Sequence, residues 1–159
     1  MKNVSKILIV FALIVNYSCK KNDDTEVEVG TTTLQIGSYE FTAPGDFYVV
    51  EGTGIDSLVG DITNGIVSMS FDYGWYTGPA TNLPSDEYEV LEDEVEGQYR
   101  QIVRPIDPAQ SHTRIHLYDI EEAAQFPFSY NSLTISTSGL SAAEQATVIT
   151  MFYSGVPID

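Results

Sequence analysis

Residues 71–76 read FDYGWY, an acid set among four aromatic rings. Aromatic faces stack on sugar rings. A carboxylate beside them can act as acid, base or nucleophile in glycoside hydrolysis if a second carboxylate lies roughly 5 to 10 Å away. Asp72 is the acid that best fits this role, with Tyr73, Trp75 and Tyr76 as its platform. Packing is the competing account. The chain carries 23 acids, so some pair meets that distance by chance, and a sheet core needs aromatic residues anyway.

Other constellations are weaker. His112 and His116 share a strand face and could ligate zinc or copper with Asp119 or Glu121. Arg114 stands between them and repels a cation, so the pattern is assigned to exposed strand histidines. Asp86, Glu87, Glu89, Glu92, Asp93, Glu94 and Glu96 offer hard oxygen ligands for calcium, but the EF-hand pattern is absent. Strand alternation splits them between two faces and a turn, which makes a solvated acidic hairpin. Ser57 lies in no G-x-S-x-G, and the GTG at 52–54 lacks phosphate-loop spacing. No metal, cofactor or catalytic residue is assigned.

Charge narrows the partners. The seven basic residues face 23 acids, for a net charge of −16. Such a surface repels nucleic acid phosphates. It favours solubility, cations and basic partners.

The elements that must position these residues are mostly strands. TTTLQI alternates, and YEFTAP follows it as a hairpin partner. DFYVVEG is a third strand candidate, and Asn64-Gly65 marks a two-residue hairpin turn after IDSLVG. In GIVSMSFDYGWY, Val67, Met69, Phe71, Tyr73 and Trp75 point one way, while Ser68, Ser70, Asp72 and Gly74 point the other. GPATNLPSD is an open loop. Residues 87–105 form two strands around an acidic turn, TRIHLYDI is a strand, DIEEAAQF forms a helical turn or two, and SLTIST is a late strand. One helix is well marked. Ser141 and Glu144 make a capping box, Ala146, Ile149 and Phe152 or Tyr153 line one face with Val148, and Gly155 stops it. Strands first and a helix last predict an α+β domain, an antiparallel sheet with the C-terminal helix on its apolar face. A β-sandwich with a peripheral helix is the alternative.

The N-terminus reads as an export signal. Lys2 and Lys6 precede ILIVFALIV, an apolar run too short for the about 20 helical residues that cross a bilayer. Ser18 and then Cys19, the single cysteine, follow. This stretch resembles the lipobox of bacterial lipoproteins, whose cysteine is cleaved free and acylated. Asn16 stands three residues before Cys19, where that family usually has Leu. The following KKNDD resembles the surface-export signal of Bacteroidota lipoproteins. The resemblance implies lipidation at Cys19 and an outer-membrane location, and the KKNDD signal implies a globule facing outward. The strand around FDYGWY and the late LSAAEQ helix are loosely similar to small Bacteroidota lipoproteins and to the Mog1/PsbP-like fold, which carries no activity with it.

The expected organisation is a signal peptide at 1–18, a lipidated tether at 19–30 and one domain at 31–159. The expected function is a non-catalytic, membrane-anchored binding module for a protein or glycan, with no nucleic acid partner. The candidate site is Asp72, Tyr73, Trp75 and Tyr76 with the neighbouring GTGIDS and GPATN loops. A small carbohydrate-active hydrolase and a calcium-dependent adhesion module are the alternatives.

Overall fold

The computed structural model describes residues 30–124 and 126–158. The signal segment, Cys19 and the tether up to residue 29 lie outside the described residues. Two antiparallel hairpin strands come first, β1 (Thr31–Ile36) and β2 (Tyr39–Pro44). Then follow β3 (Tyr48–Glu51), β4 (Leu58–Thr63), β5 (Ser68–Gly74), β6 (Tyr88–Val95), β7 (Gln98–Pro105), β8 (Thr113–Glu122) and β9 (Tyr130–Thr137). Helix α1 (Ala142–Tyr153) and a short β10 (Val156–Pro157) close the described chain. The large sheet has the order β3-β4-β5-β9-β8-β7-β6, and the small one β1-β2-β10. The architecture is α+β, an antiparallel sheet packed by a C-terminal helix.

Alternation explains β5. Met69, Phe71 and Tyr73 are buried, while Ser68 and Ser70 face out. The layer they need is shared. The β1–β2 hairpin covers the β5 side, where the Tyr73 ring lies against Gly37, and α1 packs against β8 and β2. Gly37 has φ +56, and a Cβ there would stand 2.6 Å from the Tyr73 ring, so only glycine fits. Tyr39, Phe41, Ile135, Leu133 and Phe152 complete one continuous core.

Three local expectations change. The β4–β5 turn holds four residues, because Thr63 pairs with Ser68. Asn64 Oδ1 accepts the N–H groups of Ile66 and Val67 at 3.0 and 2.9 Å, which closes this longer turn. DIEEAAQF does not begin a helix: β8 continues to Glu122, because Glu121 and Glu122 pair with Asn131 and Tyr130 after a register shift. The cross-strand partner outweighs local helix propensity. In α1 the capping box forms as expected, with Ser141 accepting from the Glu144 N–H and Glu144 accepting from the Ser141 N–H. The buried stripe, however, is Gln145, Val148, Met151 and Phe152. Ala146 and Tyr153 are exposed, and Ile149 is half-buried. Gln145 hides its polarity by donating to the Pro105 carbonyl at 2.8 Å and to Thr113 Oγ1 at 3.4 Å.

The register also sorts the loops into two ends. Leu58, Tyr73 and Leu133 lie side by side, so the 52–57, 75–87 and 123–129 connections emerge at one end of the large sheet. The β1–β2 turn joins them through Gly37. The described chain enters at the opposite end, where the Gly45 N–H donates to the Gly30 carbonyl and Asn64 donates to Asp46.

Candidate functional site

Trp75 follows the last residue of β5 and turns out of the sheet plane. Its ring lies 3.6 Å from the Tyr76 ring and 4.4 Å from the Phe126 ring, centroid to centroid. Asp56, Ala123 and Asn131 join Trp75 and Phe126 around a cavity of about 140 Å³. The 52–57 loop reaches this place because Gly74 lacks a side chain. A Cβ there would sit 2.6 Å from Ser57 Cβ. The indole N–H of Trp75 is buried without a hydrogen-bond partner among the described residues, a cost that a packed core avoids.

Around this stacked trio the loops expose apolar side chains. Ile55 is fully exposed, Phe128 is 93% exposed and Tyr76 63%. Tyr130 and Phe126 are also exposed. Phe128 holds φ +69, in the left-handed region, which costs an aromatic residue about 1–2 kcal/mol. Such strain is tolerated where a loop must present a side chain.

The four residues singled out in the sequence do not converge. Trp75 and Tyr76 stack on each other. Tyr73 is buried in the core on the inner face. Asp72 lies on the outer face of the sheet, opposite Thr134 and Val59, with Oδ1 buried and unpartnered. Phe126, which completes the aromatic trio, carried no sequence signal linking it to Trp75. The GPATN loop turns away from the trio. It crosses the outer face, where the Ala80 N–H donates to Gln101 Oε1 at 2.9 Å and Gln101 Nε2 donates to the Ala80 carbonyl at 3.2 Å.

That outer face carries a polar row. Register aligns Asp72, Thr134, His116, Gln101 and Glu92 across five strands. His116 is buried, contrary to the expectation of exposed strand histidines, because residues 76–83 lie across this face; His112 is exposed. Burial, with Arg114 nearby, pushes the His116 pKa down to about 4, so the ring is neutral near pH 7. Its Nδ1 lies 2.9 Å from Thr134 Oγ1, which also accepts from Arg114 at 3.3 Å. The Thr134 hydroxyl thus bridges the imidazole and the Arg114 guanidinium.

The acidic hairpin is partly neutralised. Arg100 donates to Asp93 through Nε and Nη2, at 2.5 and 2.8 Å, and holds that carboxyl below the usual range. Among the described residues no three His, Cys, Asp or Glu side chains cluster so as to hold a metal ion. No described helix is long and apolar enough to cross a membrane. The chain matches no protein-family model, no curated protein and no solved structure.

Proposed function

We propose that this chain is a lipid-anchored envelope protein that binds a protein partner through the aromatic loops at the far end of its sheet. The observation that carries this reading is the exposed set Ile55, Tyr76, Phe126 and Phe128 on loops that meet at one end, with Tyr130 at the adjoining start of β9. Aromatic anchors on a surface otherwise rich in charge are the composition of interface hot spots. Acylation at Cys19 supplies the anchor. The described chain enters at Gly30, at the opposite end, so a tether leading there leaves the aromatic loops pointing away from the membrane. Trp75 already has neighbours at stacking distance in Tyr76 and Phe126, which favours a protein surface over a sugar ring on the indole.

Site-specific photo-crosslinking in cells tests the reading. A crosslinker at 76 or 128 should capture one protein of defined mass. The same probe at Ile66, an equally apolar and exposed residue on the β4–β5 turn, should not. Capture at all three positions, or at none, sinks the docking end. Cys19→Ala should release the chain from the membrane fraction; retention there overturns the anchor.

A further inference from the structure

Arg114 is the one arginine among the described residues without a carboxylate partner. Arg100 pairs with Asp93, and Arg104 lies 3.5 Å from Glu89. In a chain with 23 acids, an unpaired arginine on a partly buried strand is an exception. Its Nη2 donates to the Gly78 carbonyl and to Thr134 Oγ1, and its Nε is sealed from solvent with no partner among the described residues. Burial lowers its pKa from the ordinary value. The fold thus bears the cost of desolvating a cation and leaves the charge unmatched.

Arg114 lines a cavity of about 320 Å³ beside Ala80 and Leu83 of the 76–83 loop. Leu83, Tyr88 and Val103 form its apolar walls, and Ser136 and His112 add polar groups. The volume lies at the small end of ligand pockets. With Nη2 engaged and Nε sealed, Nη1 is the guanidinium nitrogen left to donate to a carboxylate, and apolar walls match a hydrocarbon or aromatic tail. The negative field of the whole chain penalises a dianion more than a monoanion, which disfavours sulfate and phosphate.

We infer that the cavity between the 76–83 loop and the outer face of the sheet binds a small monocarboxylic acid with an apolar tail, its carboxylate held by Arg114. The cavity lining shares no residue with the exposed aromatic set, and the inference does not depend on the role of that set.

Calorimetric titration and thermal melting of the full chain test it, with octanoate and benzoate as probes. Octanamide, benzamide and sulfate are the controls. The carboxylates should bind and raise Tm, since they bind the native state alone. The amides and sulfate should bind much more weakly. Arg114→Gln should weaken carboxylate binding by about tenfold to a hundredfold, the usual loss for a charge-assisted hydrogen bond. Leu83→Trp fills the cavity and leaves the arginine in place, so it should also weaken binding, and it decides the matter if Arg114→Gln does not fold. Failure of both carboxylates to bind, amide binding of equal strength, sulfate binding of equal strength, or unchanged affinity in a folded variant each overturns the assignment.

Discussion

His116 sits on a strand face that alternation assigns to solvent, yet it is almost fully enclosed. Its neutrality in the folded state makes stability depend on pH. Between the unfolded value near 6.5 and the folded value of about 4, the unfolded chain takes up a proton that the native chain refuses. Stability therefore falls as pH falls through this window, by about 3 kcal/mol in total and about 2 kcal/mol by pH 5. Urea titrations at pH 7 and pH 5 measure the effect. His116→Gln, which keeps a hydrogen-bonding group near Thr134 and cannot titrate, should flatten the slope between those two values. An equal slope in the variant would assign the acid sensitivity to other groups.

At the element scale, β4 is constrained at a glycine. It runs between β3 and β5, and its Gly60 has no room for a side chain. A Cβ there would stand 2.7 Å from the Phe71 ring and closer still to the Val50 carbonyl. Ring and backbone both belong to paired strands, so neither can move without breaking a ladder. Gly60→Ala should cost about 2–3 kcal/mol, an overpacking penalty. The urea midpoint should drop with the m-value unchanged. A loss under about 0.5 kcal/mol would mean that β3, at the sheet edge, peels away cheaply. The same edge strand exposes Tyr48 and Val50, in keeping with a weakly held border.

For the molecule as a whole, charge is the dominant long-range term. With 23 acids against seven basic residues, the excess negative charges repel one another in the compact state more than in the unfolded chain. Screening shortens from about 30 Å at 0.01 M salt to about 3 Å at 1 M. Tm should accordingly rise with sodium chloride across that range. A fall would mean that the Arg100–Asp93 and Arg104–Glu89 pairs outweigh the net repulsion, which their number and partial exposure make physically costly to sustain.

What could be read from the residue order follows from how local each signal is. The burial of Met69, Phe71 and Tyr73, the Ser141–Glu144 cap and the α+β class rest on periods of two and 3.6 residues and on neighbours three apart. The fold class emerged from those patterns alone. The stripe of α1 is right at Val148 and Phe152 and misses Gln145, which looks polar until Pro105 and Thr113 accept its hydrogen bonds. Half of the candidate site was legible, since Trp75 and Tyr76 are chain neighbours. The other half was not. Phe126 reaches Trp75 only because β8 and β9 pair to the sheet's end, and Asp72 and Tyr73 part company because adjacent strand residues face opposite sides. His116 is enclosed, and Arg114 left without a carboxylate, because a distant loop lies across the sheet. Burial and charge pairing are sums over neighbours in space, and contacts between distant segments are chosen only when the whole chain packs.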